Sequence, residues 1–350
     1  MADSYPEIKI PSTRYSGSKR RFLNWIWENV SDINFDSALD VFGGTASVSL
    51  LFKQKGKRVH YNDILSFNQI IGTALIANSK TTVTESDLEK VFKSQPINRK
   101  KTIQRFYNGT FYLEEENIWL DDFIQKVATV NDKFKRAIIL SALFQACLTK
   151  RPFNLFHRAN LNLRTNDVKR NFGNKITWEK PFEELIKKFV VEYNQAVFDN
   201  DKKNKVIGGH NALFCPNGVD LVYLDPPYFS KNQSTGLNYL DYYNFLEGIA
   251  NYDVWTELVI DNKTNVPKLK EKKAIQYFTT KKQITNSIEK LIERFQDNII
   301  VMSYLDEGIP DKQTIIELFS KYGKKVTVKE KQHKYVLSKN FKSELLFIVK

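Results

Sequence analysis

The run Leu221-Val222-Tyr223-Leu224 ends in Asp225-Pro226-Pro227-Tyr228. Each proline fixes φ and lacks an N–H, and a residue before proline is driven out of the α region. The segment is therefore stiff and extended. It presents a carboxylate, carbonyl oxygens with few local donors, and the flat ring of Tyr228. An exocyclic amino group on a planar base suits that set. Such a nitrogen is a poor nucleophile because its lone pair is delocalised into the ring. Acceptors on its two hydrogens, the Asp225 carboxylate and the Pro226 carbonyl, favour a pyramidal nitrogen and aim the lone pair at an electrophile. Stacking of a flipped base on an aromatic face contributes ~1–3 kcal/mol, and holding the reactants in line supplies ~7–11 kcal/mol of the barrier. The plainer alternative is a strand-ending turn, since Asp-Pro and Pro-Pro are common stop signals.

A second acidic pair lies upstream. Asp40 ends the run beginning at Ser37, and Gly43-Gly44 then turns the chain into a helix-like stretch. Glycines there permit a tight turn and close approach to a ligand. Asp63 ends the next short strand, 23 residues after Asp40. That matches the acidic residue about 20 positions on that binds a ribose hydroxyl in nucleoside-binding α/β folds. Thr45-Ala46 stands where a third glycine would complete a pyrophosphate grip. A nucleoside ligand without phosphates fits better, against the alternative of an ordinary βα turn. The chain lacks a P-loop lysine pattern, which argues against an NTPase.

These residues need a parallel sheet behind them. Short apolar strands at 37–42 and 58–64 alternate with helical spacing at 15–30 and 66–78, the opening of an α/β fold. Strand character returns at 220–225, 297–303, 324–329 and 344–349, with helices at 239–250, 281–293 and 311–321. Between them, about 80 to 200, amphipathic helices are expected at 115–128 and 133–149. The spacing thus predicts a sheet split by an insertion, with a catalytic part at 1–79 and 201–350 and an inserted unit at 80–200.

The chain has 350 residues, a net charge of +13 and a pI near 9.4. Charge favours a polyanionic partner, nucleic acid first, though a lysine-rich background reads equally well. The stretch 149–175 is locally basic, with seven Lys/Arg against one Asp, and is expected to be loop-rich and exposed. Phe153 and Phe156 within it are expected in the core rather than as wedges. No stretch is apolar enough to span a bilayer, and the N-terminus lacks a secretory pattern. Cys147 and Cys215 lie in apolar surroundings, as buried free thiols, and no metal-ligand spacing is present.

Taken in order, these motifs resemble the Dam-like, D12-class (α-group) DNA adenine-N6 methyltransferases across nearly the whole chain. Arg14-Tyr15-Ser16-Gly17-Ser18-Lys19 is similar to that family's N-terminal motif, and Asp40–Val48 to its glycine motif. Tyr61-Asn62-Asp63-Ile64 resembles the ribose-binding motif, Asp225-Pro226-Pro227-Tyr228 the catalytic motif, and Ser303-Tyr304 the wall of the adenine pocket. Ser18 and Ala46 replace family glycines, and Asn211 stands where many relatives place an acidic residue.

The resemblance implies a Rossmann-like α/β sheet with a mainly helical target-recognition domain inserted. It implies methyl transfer from S-adenosylmethionine to N6 of a flipped adenine in double-stranded DNA. Asp225, Pro226, Pro227 and Tyr228 would be catalytic. Tyr15, Ser18, Lys19, Asp40, Phe42, Gly43, Gly44, Ala46, Asp63, Ile64 and Asn211 would hold the cofactor. Lys150, Arg151, Asn154, Arg158, Arg164, Lys169 and Arg170 would meet DNA. A monomer in the cytoplasm of a prokaryotic cell, or in a phage context, is implied, with a restriction endonuclease acting separately. The rivals are a cytosine-N4 enzyme, an RNA or protein-glutamine methyltransferase, and a DNA-binding protein with an inactive pocket.

Overall fold

The computed structural model describes residues 9–96, 98–166, 175–230, 238–261, 266–271, 273–334 and 341–350. Its central sheet has seven strands: β1 (Ser37–Asp40), β2 (Arg58–Tyr61), β3 (Lys205–Val206), β4 (Leu221–Leu224), β5 (Ile299–Leu305), β6 (Val326–Lys334) and β7 (Phe341–Val349). The strand order is β3-β2-β1-β4-β5-β7-β6. The first five strands of that order run parallel, and β7 lies antiparallel between β5 and β6. This is the Rossmann-like α/β sheet expected from the sequence.

Successive side chains of a strand point to opposite faces, so the central strands must be apolar on both. Leu39, Val222, Leu224, Ile300, Met302 and Phe347 face one cluster, with Ile288 and Leu291 of α8 (Ile284–Arg294) and Phe319 of α9 (Lys312–Lys321). Ala38, Tyr223, Val301 and Leu346 face the other, which α1 (Leu23–Val30), α2 (Ser47–Gln54) and α3 (Ser66–Gly72) cover. Local chemistry ends the helices. Asp132, for example, caps α5 (Lys133–Thr149) by accepting from the N–H groups of Phe134 and Lys135 at 2.8 and 3.0 Å.

Between β2 and β3 the described residues are helical, with α4 (Glu114–Val127), α5 and α6 (Phe182–Asn194) the longest elements. These helices are continuous with the sheet's own core: α6 packs on α5, α5 on α3, and their apolar faces join the cluster on the sheet face that α1, α2 and α3 cover. Phe245 of α7 (Asn244–Ala250) ties the two together. Its ring is fully buried, 5.2–5.4 Å from the rings of Tyr107, Phe111, Tyr112, Phe156 and Trp255. Phe156 is thus in the core as expected, whereas Phe153 is 59% exposed and its backbone is left-handed at φ 62°.

A shared core has a thermodynamic signature. Phe245→Ala should destabilise the protein by ~3–5 kcal/mol while leaving one cooperative unfolding transition, read by far-UV and near-UV circular dichroism in urea. Two separated transitions in the unsubstituted chain would contradict a core shared by insertion and sheet.

Candidate active site

β1 and β4 are neighbours, with Asp40 opposite Tyr223, and the order reverses there: β2 follows on one side and β5 on the other. The carboxyl ends at such a switch point open a crevice. Into it emerge Asp40 from β1 and Asp225 from β4. Asp40 is buried; its Oδ2 accepts from Ser49 Oγ at 2.7 Å, and its Oδ1 has no hydrogen-bond partner among the described residues. Burial, reinforced by Asp225 and Asp63, pushes its pKa up to about 7.

The glycine turn is fixed by its neighbours. A Cβ on Gly43 would lie 2.1 Å from the Tyr61 ring, so only glycine fits there. Gly44 has φ 49° and donates its N–H to Asp63 Oδ2 at 2.9 Å, while its carbonyl accepts from the Tyr61 hydroxyl at 2.6 Å. Asp63 Oδ1 accepts from the Leu65 N–H at 2.8 Å. Asp63 therefore staples β2 to the turn after β1, and burial lifts its pKa to about 6. Ala46, in the place of a family glycine, adopts φ 59° and is fully buried. That conformation explains why glycine suits the position.

Lys19 changes the picture drawn from sequence. Its ammonium lies 2.8 Å from Asp225 Oδ1 and 3.1 Å from Glu344 Oε1. Burial works against its charge, but Asp225 and then Glu344 outweigh that and hold its pKa well above the usual lysine value. Burial also raises the Asp225 carboxyl, and Lys19 pulls it back. The lysine expected in the cofactor group thus grips the Asp225 carboxylate.

One cavity collects most of the expected residues. Tyr15, Ser18, Lys19, Asp40, Phe42, Gly43, Gly44, Asp63, Ile64, Asn211, Asp225 and Pro227 all line it; Ala46, Pro226 and Tyr228 do not. Tyr15 stacks on Tyr243 at 4.5 Å and on Tyr239 at 5.6 Å, and Tyr239 is also in the wall. The Tyr228 ring meets Tyr304 edge to face at 5.8 Å, beside the cavity. The Asn211 side chain accepts from the Leu213 N–H at 3.1 Å, capping a short helical turn. Sequence reasoning missed Ile275, Phe278 and Thr279, which close the far wall, and Phe278 packs edge-on to Phe42 at 5.1 Å. Only their apolar helical spacing marked them, and that spacing equally suits any core helix.

Comparison with known proteins agrees with this geometry. The family model of the D12 class N6 adenine-specific DNA methyltransferases matches residues 15–318. The chain belongs to that family. It is 28% identical to the Type II methyltransferase M2.HphI of Haemophilus parahaemolyticus, over 97% of this chain and 98% of that protein. It is 22% identical to M.NlaIII of Neisseria lactamica over 89% and 88% of the two chains. With M.FokI of Planomicrobium okeanokoites it shares 25% identity over 89% of its own length, spanning 47% of that longer protein.

The methyltransferase departs from expectation in its basic segment. Lys150 is buried, paired with Glu116 at 2.8 Å, and donates to the carbonyls of Trp178 and Lys180. Arg151 is buried against Phe111 and Phe156, and its guanidinium donates to the carbonyls of Leu155, Arg158 and Ala159. Arg164 forms a two-pronged pair with Glu116 at 2.8 and 2.9 Å. These three cations hold the segment together instead of facing a partner. The described part of the segment is short of regular structure, so its carbonyls need donors, and the cations supply them. Asn154 accepts from Arg14 at 3.2 Å, Arg158 is exposed, and Lys169 and Arg170 lie outside the described residues.

Three buried carboxyls, Asp40, Glu344 and Asp63, have folded-state pKa values raised to about 7, 7 and 6, burial being the first cause of each. Between the ordinary carboxylate range and those values the folded state holds protons that the unfolded state has lost. Their contribution to stability is therefore present in acid and falls as pH rises toward 7. In thermal melts of the ligand-free protein, Asp40→Asn should gain on the parent chain as pH goes from about 4.5 to 7.5. A difference in melting temperature that stays constant with pH would contradict a buried, proton-holding Asp40.

Proposed function

We propose that this DNA adenine methyltransferase takes its methyl group from S-adenosylmethionine, held in the cavity at the ends of β1, β2 and β4. The observation that carries the reading is the shared crevice: a buried Asp40 with an unpartnered oxygen on one side and a Lys19-gripped Asp225 on the other. The residues fit such a donor. Asp40 offers an anionic acceptor for its amino-acid ammonium, and Asp63 lies within reach of ribose hydroxyls, each carboxylate oxygen being able to accept a second bond. Phe42, Ile64 and Phe278 supply an apolar slot for a flat base. When bound, S-adenosylmethionine supplies an electrophilic methyl group.

The chain's own residues do the rest. Lys19 pins Asp225 Oδ1, which leaves Oδ2 to accept one hydrogen of the adenine amine. The Pro226 carbonyl, freed by the proline that follows, accepts the other. Tyr228, backed edge-on by Tyr304, gives the flipped base a stacking face. The amine nitrogen would then gain the methyl group as the donor's carbon–sulfur bond breaks, leaving a neutral thioether. The proton shed by the amine would pass to water, with no covalent enzyme intermediate.

We assign residues 80–200 to target recognition, with Arg158 and Asn154 at the DNA surface and Lys169 and Arg170 as further contacts. Because the curated relatives are named as type II methyltransferases, the protein is proposed to be the modification partner of a separately acting restriction endonuclease, working as a monomer in the cytoplasm. Among the described residues no helix is long and apolar enough to cross a membrane.

The test is transfer of labelled methyl from S-adenosylmethionine to unmethylated plasmid DNA, followed by digestion to nucleosides. The label should appear in N6-methyl-2′-deoxyadenosine and vanish with Asp225→Ala. Label in N4-methylcytosine would overturn the acceptor. Arg158→Ala should weaken DNA binding across sequences and reduce the slope of log affinity against log salt by about 1. An unchanged slope would remove Arg158 from the interface.

A further inference from the structure

Glu344 has no place in the reaction as described, yet it is one of the most deeply buried charges in the protein. It lies on β7, opposite Leu305 of β5, and its side chain is 3% exposed. Alternation along the strands puts it on the same sheet face as Tyr223 and Ser303, which bond to each other through their hydroxyls at 2.7 Å. Its Oε1 pairs with the Lys19 ammonium at 3.1 Å and has no other partner among the described residues. A desolvated carboxylate costs stability unless it is paired, and Lys19 is the cation that pairs it.

We propose that Glu344 is a positioning residue for methyl transfer: from β7 it holds the Lys19 ammonium against Asp225 Oδ1, so that Asp225 stays ionised and keeps Oδ2 for the amine. The inference deepens the methyl-transfer reading above and rests on it. A lysine side chain has four rotatable carbons, and a single carboxylate fixes its ammonium only loosely. Two carboxylates 2.8 and 3.1 Å away on separate strands fix it from both sides. The device ties the antiparallel strand, remote from the cavity, to the catalytic turn. It also leaves one cation between two anions, so charge removed from either end is felt at the other.

The surrounding groups do not blur that coupling. Tyr223 of β4, Tyr228 and Tyr239 face the Lys19–Asp225 pair, and burial holds the phenols of Tyr223 and Tyr239 well above their usual range. Asp40 of β1 is the other acid that couples to Asp225. Lys331, the cross-strand neighbour of Glu344 on β6, is exposed.

The experiment is single-turnover methyl transfer as a function of pH, at saturating S-adenosylmethionine, for the parent chain, Glu344→Gln, Glu344→Ala and Lys19→Met. Circular dichroism melts and S-adenosylmethionine affinity are measured alongside. Glu344→Gln keeps the shape and should fold and bind the cofactor as the parent does. Its rate should fall ~10-fold and that of Glu344→Ala ~10²-fold, the cost of a catalytic group misplaced by an ångström. The acid limb should move to higher pH in each variant. Without Glu344 the ammonium sits loosely on Asp225 and favours its ionised form less; without Lys19 that support is gone and the limb moves further. A folded Glu344→Gln with the parent's rate and limb, or one that loses rate with the limb unmoved, overturns the inference while leaving the function intact. A parent chain that methylates no DNA overturns the function and this inference with it.

Discussion

Two desolvated carboxylates emerge side by side where β1 meets β4, and the rest of the site is arranged around that pressure. In water they would repel weakly; in a buried crevice Asp225 helps burial raise the pKa of Asp40. The structure keeps them apart in role by giving them different partners. Asp225 receives a cation, and Asp40 receives one serine hydroxyl and an unpartnered oxygen. In the proposed reaction, one acid is thereby held ready as a hydrogen-bond acceptor, and the other is left to take the donor's ammonium. The strand order makes this possible, since a sheet without its reversal at β1/β4 would separate the two ends.

Everything local to a turn was legible in the sequence. Asp-Pro-Pro-Tyr declares a rigid strand exit because proline's geometry does not depend on context. The Gly43-Gly44 pair and Asp63 declare a βα turn and its acidic follower for the same reason, and the structure joins them through the Gly44–Asp63 bond. The helices at 114–127, 133–149, 284–294 and 312–321 fall within a few residues of the expected spans, because long periodic segments carry their own signal.

What stayed hidden required long-range pairing. Nothing in Ser343-Glu344-Leu345 hints that Glu344 would meet a lysine some 320 positions earlier, and the alternation of a strand reads the same whether its acid faces solvent or a site. The basic segment failed in the opposite sense. Lys150, Arg151 and Arg164 carry the charge that marks a nucleic-acid surface, but Glu116, on a helix distant in sequence, and a run of loop carbonyls claim them. Charge counted along a chain records how many cations exist; burial decides how many remain for a partner. Phe153 errs likewise, since an aromatic in an apolar-looking run was expected inside and is exposed on a left-handed turn.

The division of labour across the crevice is tested most directly by measuring S-adenosylmethionine affinity and saturated single-turnover rate together for Asp40→Asn and Asp225→Asn. If the β1 side binds and the β4 side does the chemistry, Asp225→Asn should bind the cofactor nearly as the parent does while transferring methyl ~10²–10³-fold more slowly, and Asp40→Asn should lose affinity while recovering most of its rate at saturation. Equal loss of affinity in both variants, or a full rate in Asp225→Asn, would contradict it.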